Sequence, residues 1–268
     1  DSWPLQSPRI VNRYRHSRSL FICQSDRHAM PDAFGRAIRD HHRGDRTEPL
    51  VQGDGEETRE HPIRDFYFTE FDPESDAGSW LASRLDGPLV DLGAGAGRHA
   101  LWFQERFETV AVESSPALVE TMRERGVADA REGDMFALRE AFERDRFASA
   151  VAIGTQIGLA GSMRGLSAFL GDLAHVTTPD ATAVVDCYDP DHSGAADLLG
   201  YREDPTPGLA GRVMWFAYDG ERDPTLRFRL FSPDRLREAA IGTGWAVAAV
   251  DREGSGESPH YRAALRKR

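Results

Sequence analysis

A glycine-rich loop between a predicted strand and a predicted helix is the feature that most constrains the fold. The apolar stretch GPLVDL is followed by Gly93-Ala-Gly95-Ala-Gly97, and Arg98 begins a segment with helical periodicity. Small residues at such a turn let the backbone bend tightly and approach a ligand closely, while the helix N-terminus offers unpaired N–H groups. The arrangement predicts a ligand-binding turn at the edge of an α/β sheet.

Strand and helix patterns alternate after this loop. Further strands are predicted at ETVAVE, ADAREGD, FASAVAIGT and ATAVVDCY, with helices over 115–125 and 165–176. WAVAAV and HYRAALRK add two strands at the end of the chain. The alternation predicts an α/β fold with a doubly wound, Rossmann-like sheet of seven mostly parallel strands and an antiparallel C-terminal strand. An extra β-hairpin is predicted after the fifth strand, over about 211–231.

The segments before residue 63 lack the alternation of strand and helix patterns that is seen later in the chain. Residues 1–29 carry five arginines against two aspartates and precede Met30, so we expect a disordered tail or a non-native upstream segment. Residues 30–62 are expected to hold a short helix, followed by a linker or mobile loop over the polar, glycine-rich stretch 44–61. We expect one domain over 63–268.

Composition limits the classes of binding partner and the cellular environment that we expect. The chain has 44 acidic and 33 basic residues, which argues against broad neutralisation of nucleic-acid phosphates. No apolar run approaches the roughly 20 residues that span a bilayer, and two cysteines cannot build a disulfide framework. We expect a cytoplasmic protein without nucleic-acid or membrane partners. Lys267 is the only lysine, which fits either a GC-rich genome or a salt-loving source, and the composition resembles that of haloarchaeal proteins.

Acidic residues follow three neighbouring strands. Asp91 precedes the glycine loop, where a carboxylate suits an ammonium group better than a pyrophosphate. Glu113 ends the second strand, where an acid can accept both hydroxyls of a ribose. Asp134 ends the third strand and could accept an adenine amino group. The loop lacks the third glycine of the GxGxxG dinucleotide motif, because Arg98 follows Gly97 directly.

At this level of detail the segments VDLGAGAGRHALWF, VAVESS and REGDMFAL resemble the cofactor-binding motifs of class I S-adenosylmethionine-dependent methyltransferases. The resemblance covers about residues 63–268 and implies a methyltransferase domain there, with S-adenosylmethionine as cofactor. It implies methionine contacts from Asp91, Gly93, Ala94 and Gly95, ribose contacts from Glu113 and Ser114, adenine contacts from Asp134 and Met135, and methionine or substrate contacts from Gly154 and Thr155.

The substrate side is less defined. The enzymes of this family that methylate nucleic-acid amino groups carry Asn/Asp-Pro-Pro-aromatic after the fourth strand, and IGTQIG stands here instead, so we expect a small-molecule substrate. Gln156 is the leading polar residue on the substrate side. Tyr188, Asp186 and His175 are unranked candidates for a base if the reaction needs one, and His99 is expected to be a surface residue at its helix N-terminus.

Aromatic residues are dense near the start of the domain, at DFYFTEF (residues 65–71), where the family places a lid over the cofactor. Tyr67 is the candidate lid residue, because an aromatic ring can close over a sulfonium by a cation–π contact. The expected reaction is an in-line displacement at the methyl carbon, which needs alignment and exclusion of water but no metal. No cluster of cysteines and histidines has metal-ligand spacing.

Two further hypotheses stay open. A non-catalytic module could keep the S-adenosylmethionine pocket without a substrate, since no catalytic base is recognisable. An NAD-type oxidoreductase would also use a glycine loop and an acid on the second strand, but the absent third glycine and the final pair of strands argue against it. The sequence leaves the oligomeric state, the acceptor atom and the substrate undefined.

Overall fold

The computed structural model describes residues 31–252 and 258–268. The expectation for residues 1–29 lies outside these ranges. Within these ranges the α-helices have the bounds α1 Ala33–Arg43, α2 Asp76–Ala82, α3 Arg98–Phe103, α4 Pro116–Glu124, α5 Leu138–Ala141, α6 Met163–Val176 and α7 Pro233–Ala240. The strands of the same residues have the bounds β1 Val51–Asp54, β2 Glu57–Glu60, β3 Leu89–Leu92, β4 Thr109–Glu113, β5 Ala130–Glu132, β6 Phe147–Ala152, β7 Thr177–Tyr188, β8 Tyr201–Glu203, β9 Leu209–Tyr218, β10 Glu221–Arg222, β11 Leu226–Phe231, β12 Trp245–Arg252 and β13 His260–Lys267.

The main sheet has seven strands in the order β12-β13-β7-β6-β3-β4-β5. The five strands β3 to β7 run parallel, and β13 inserts antiparallel between β7 and β12. The predicted mixed α/β fold with a seven-stranded, mostly parallel sheet is confirmed. The chain order reverses between β3 and β6, so the carboxyl ends of these two strands flank the crevice where ligands bind in open α/β sheets.

Helices cover both faces of this sheet, because every residue of β3 is buried, whichever face it points to. Val90 and Leu92 pack on one face with α6 and α7. Leu89 packs on the other face against residues of α2 and α3. Because side chains alternate along a strand, Asp91 lies on the same face as Leu89, beneath the helix that follows the glycine loop.

A second sheet has six strands and corrects the expectation of a linker over 44–61. β1 and β2 form a hairpin there, and β1 pairs antiparallel with β9 through Val51 and Ala217. All four residues of β2 are exposed, so this strand carries no hydrophobic alternation that a sequence pattern could reveal. β9 also pairs with β8, β10 and β11, which makes it the centre of this sheet.

Helix caps fix the start of α1 beside the start of α4. The Asp32 carboxylate caps α1 by accepting from the Gly35 N–H at 3.0 Å. The Ser115 hydroxyl caps α4 by accepting from the Leu118 N–H at 3.1 Å and donates to the Asp32 carboxylate at 2.6 Å. Within the described ranges no helix is long and apolar enough to cross a membrane.

Candidate functional site

The glycine loop has a backbone that only glycine adopts without strain. Gly93 and Gly95 have φ values of 67° and 57°, in the left-handed region. A Cβ atom on Gly93 would lie 2.4 Å from Cδ of Gln156, so a larger residue at this position would strain the backbone and displace the Gln156 side chain. The structure therefore brings the predicted substrate-side residue Gln156 directly against the predicted cofactor loop.

Glu113 fastens this loop to the end of β4. Its carboxylate accepts hydrogen bonds from the backbone N–H of Gly95 at 3.0 Å, of Ser114 at 2.7 Å and of Ser115 at 3.2 Å. The Ser114 hydroxyl also donates to it at 3.2 Å. Burial raises the pKa of Glu113, while the three backbone donors oppose that shift by stabilising the charged form. The carboxylate is thus held rigidly between the loop and the following turn.

Asp91 is a buried acid with one unused oxygen. The residue is 2% exposed, and its Oδ2 atom has no hydrogen-bond partner in the described part of the chain. Burial, with a smaller contribution from the negative charge of Glu113, raises the pKa of Asp91 to about 7. An unsatisfied buried acceptor costs free energy, so this site favours a ligand that brings a cationic donor.

Tyr67 lies over the loop and belongs to a hydrogen-bonded chain that the sequence did not reveal. Its ring lies 3.4 Å from the position of a Cβ on Gly95, and its hydroxyl is 3.1 Å from Nε2 of His61. The other ring nitrogen of His61 is 3.0 Å from Oε1 of Gln52. Because Oε1 can only accept, Nδ1 carries the proton and the Tyr67 hydroxyl donates to Nε2.

His61 is neutral in this arrangement. Burial lowers its pKa to about 4, and the positive charge of Arg212 adds to the shift. The segment around His61 carries no motif, and only the pairing of β1, the partner strand of β2, with β9 brings it to the site. No sequence signal could have identified it.

Asp186 organises the turn after β6. It is 2% exposed and accepts from the Gly154 N–H at 2.9 Å and the Thr155 N–H at 2.6 Å. Nε2 of His260 lies 2.9 Å from the same carboxylate. Thr155 has a φ of 59°, a strained value for a residue with a branched Cβ. Asp186 therefore positions the turn that carries Gln156, and its engaged oxygens do not suit a base.

The other two candidate bases lie in different places. Tyr188 stays at the carboxyl edge, with its ring centroid 5.5 Å from that of His260. His175 ends α6 beside Arg139, at the opposite edge of the sheet, and is excluded from the site. The expectation that His99 is a surface residue is wrong. It is half-buried, and burial with the charge of Arg98 lowers its pKa to about 4.

The predicted adenine-binding residues Asp134 and Met135 lie in the loop after β5, and the two side chains differ in exposure. The Gly133 N–H donates to the backbone oxygen of Glu113 at 3.0 Å, which places the following loop beside β4. Asp134 is exposed, and its carboxylate accepts from the Phe136 N–H at 2.8 Å. Met135 is 7% exposed and packs in the main core with residues such as Val112. The role of both side chains in binding adenine stays a prediction.

The second sheet forms a wall across from Gln156. Arg212 and Phe216 alternate with outward residues along β9 and share one face, and Phe216 packs with residues of α1. Phe228 on β11 lies opposite Arg212 in the register, and a Cβ on Gly158 would lie 3.2 Å from its Cδ1 atom. The inner face of this sheet thus covers the turn after β6. In the described ranges no group of three or more possible ligands could hold a metal ion.

Comparison with known proteins supports the fold. No family model and no curated protein matches the chain. A SAM-dependent methyltransferase structure from Bacteroides fragilis, in complex with S-adenosyl-L-homocysteine, is 23% identical, covers 87% of this chain and 94% of its own, and has a TM-score of 0.69. The CcbJ methyltransferase from Streptomyces caelestis is 18% identical over 71% and 88% of the two chains, with a TM-score of 0.55. The chain has the fold of S-adenosylmethionine-dependent methyltransferases.

Proposed function

We propose that this protein is an S-adenosylmethionine-dependent methyltransferase that acts on a small molecule. One observation carries the proposal. The buried Asp91 carboxylate, with its unused Oδ2, stands at the root of a glycine loop whose Gly95 N–H is bound to Glu113. That combination offers an acceptor for an ammonium group and a carboxylate for ribose hydroxyls at one sheet edge.

The residues fit the cofactor. Asp91 and the loop residues Gly93, Ala94 and Gly95 would hold the methionine end, and Glu113 would hold the ribose. S-adenosylmethionine, when bound, supplies a methyl group on a positively charged sulfur. Because Gly93 has no Cβ, the loop leaves room for the Gln156 side chain and a ligand to share one surface. The predicted contacts of Ser114, Asp134 and Met135 belong to the same proposal.

The chain contributes alignment and exclusion of water. Asp186 fixes the backbone of Gly154 and Thr155, and thereby holds Gln156 beside the loop, where its amide can orient the acceptor. Tyr67 covers the loop with an aromatic ring, which suits a positively charged ligand. We assign Tyr188 to the substrate side. This division of labour suits a displacement whose leaving group is a neutral thioether.

Known structures with this fold support a small acceptor. CalS10 from Micromonospora echinaspora, an amino pentose methyltransferase with bound SAM, is 16% identical over 67% of this chain and 83% of its own, with a TM-score of 0.50.

We further propose that the segment over about 211–231 acts as a flap over the substrate. We also propose a cytoplasmic protein without membrane partners, whose acidic excess disfavours nucleic-acid partners and, with the single lysine, fits a salt-adapted host.

Calorimetry with three ligands tests the proposal. We expect S-adenosylmethionine and S-adenosylhomocysteine to bind to the full chain, and NAD not to bind. Binding of NAD alone would contradict the proposal and favour an oxidoreductase. Incubation with methyl-labelled cofactor and a metabolite extract then separates an enzyme from a binding module, because only an enzyme transfers label to a small molecule.

A further inference from the structure

Arg212 is a half-buried guanidinium that no carboxylate neutralises within the described residues. Its Nε donates to the backbone oxygen of Leu199 at 3.0 Å. Two other arginines of the same sheet differ, because Arg202 lies 2.6 Å from the Asp54 carboxylate and Arg229 lies 2.6 Å from the Asp204 carboxylate. The chain has 44 acidic residues that could supply a counter-ion. The absence of a carboxylate beside Arg212 among the described residues therefore needs a physical explanation.

Arg212 lies among the residues of the site. Its guanidinium carbon is 5.5 Å from the ring centroid of Tyr188, at the end of β7. Its charge also acts on His61, whose ring is hydrogen-bonded to Tyr67 over the glycine loop. Burial lowers the pKa of Arg212 and the charge of Arg59 adds to this shift, whereas Tyr188, which is hydrogen-bonded to the guanidinium, opposes it. The guanidinium therefore lies near Tyr188 and close enough to His61, the hydrogen-bond partner of the lid residue Tyr67, for its charge to act there.

A buried positive charge is costly unless an anion accompanies it. Since the described chain supplies none beside this half-buried guanidinium, a ligand can bring the anion. The planar fork of a guanidinium matches a carboxylate with two parallel hydrogen bonds. We infer that the methyl acceptor is a small molecule that carries a carboxylate, and that Arg212 binds this group. The inference rests on the proposed function and narrows its substrate class.

Matched acids and amides test the inference. The thermal midpoint of the full chain, saturated with S-adenosylhomocysteine, is measured with benzoate, benzamide or phenyl phosphate at constant ionic strength. We expect benzoate to raise the midpoint and benzamide to leave it unchanged. Arg212→Gln should weaken benzoate binding at least tenfold, whereas Arg229→Gln should bind it as the wild type does. Equal shifts with acid and amide, or no shift with any of the three, overturn the inference.

Three further outcomes of these measurements have different meanings. They identify a phosphate site, a contact with the cofactor, or a failure of the proposed function. Stronger binding of phenyl phosphate than benzoate replaces the carboxylate with a phosphate and overturns the stated class. Weaker binding of S-adenosylhomocysteine by Arg212→Gln means that Arg212 holds the cofactor, which also overturns it. Failure of the wild type to bind S-adenosylhomocysteine sinks the proposed function instead. If Arg212→Gln does not fold, Arg212→Lys keeps the charge without the fork and should bind benzoate more weakly than the wild type.

Discussion

The carboxylate of Glu113 accepts a hydrogen bond from the backbone N–H of Gly95, 18 residues earlier in the chain, at 3.0 Å. This bond joins the end of β4 to the loop after β3, so that the two proposed cofactor contacts form one rigid piece. A ligand that binds to the loop therefore meets a carboxylate whose position is already fixed.

Replacing Glu113 with Ala should weaken S-adenosylhomocysteine binding about 10- to 100-fold, since a hydrogen bond to a charged group contributes about 1.5–3 kcal/mol. Calorimetry measures the change. Glu120→Ala is the matched control, because Glu120 is exposed on α4 and its carboxylate pairs with Arg39 and Arg43 of α1. An unchanged affinity in Glu113→Ala would remove Glu113 from the ribose site.

Replacing Asp91 with Asn should stabilise the ligand-free protein and weaken cofactor binding at once. The folded pKa of about 7 lies above the ordinary value of 3.8, so the folded state holds the proton more tightly and loses stability as the pH rises toward 7. Removal of this charge should raise the free energy of unfolding by about 1–3 kcal/mol at pH 8 and by much less at pH 4. Urea titrations with and without S-adenosylhomocysteine measure both effects. A variant that is destabilised at pH 8 would contradict the prediction.

Replacing Gly93 with Ala should destabilise the loop by about 1–3 kcal/mol, because the positive φ strains an L-residue and the new Cβ meets Gln156. Cofactor binding should fall with it. Gly171→Ala is the control, because a Cβ there meets nothing within 4 Å and alanine favours the helix interior. Thermal melts of both variants should shift in opposite directions.

The stability should depend on pH through His61. Its folded pKa of about 4 lies below the ordinary 6.5, so the unfolded state binds more protons between these values. The full contribution is present above pH 6.5 and decreases as the pH falls toward 4, by up to about 3 kcal/mol. His61→Gln has no titratable ring, so the difference in unfolding free energy between wild type and variant should shrink over this range. The half-buried His99 acts with the same sign in both proteins and cancels in the difference.

Replacing Asp186 with Asn should destabilise the protein by about 2 kcal/mol or more. In the wild type the two carboxylate oxygens accept from the N–H groups of Gly154 and Thr155, and in the variant an NH₂ group replaces one of these oxygens, so one N–H loses its acceptor. Methyl transfer should fall as well, since the turn that carries Gln156 loses its anchor. Asp180→Asn tests the specificity of the effect, as Asp180 is exposed on β7. Equal unfolding midpoints for the two variants would refute the positioning role.

The sequence predicted the main sheet because its signals are local. Apolar strands, a glycine loop and Ser-Pro helix starts at residues 115–116 and 232–233 each occupy a few consecutive residues. The first two strands of the second sheet, β1 and β2, show no comparable local pattern. β2 is exposed at every position, and β1 gains its place only by pairing with β9. Pairing between distant segments leaves no periodicity in either segment alone.

The candidate site divides in the same way. Asp91, Glu113 and the glycines stand at fixed distances from predicted strand ends, so their neighbourhood follows from the topology. His61 and Arg212 reach the site from the second sheet, and their segments carry no motif. The sequence indicates Asp186 as a candidate base, and its hydrogen bonds to the N–H groups of Gly154 and Thr155 show that it anchors a turn.

The pairing of Val51 with Ala217 also governs the order in which the molecule can assemble. During synthesis β1 and β2 leave the ribosome before any strand of the main sheet, yet β9, the strand that pairs with β1, appears only after β7. Contacts between such distant segments form slowly, since loop closure must precede them. The wall that covers the substrate side is therefore expected to close late in folding, on a main sheet whose five parallel strands have already emerged.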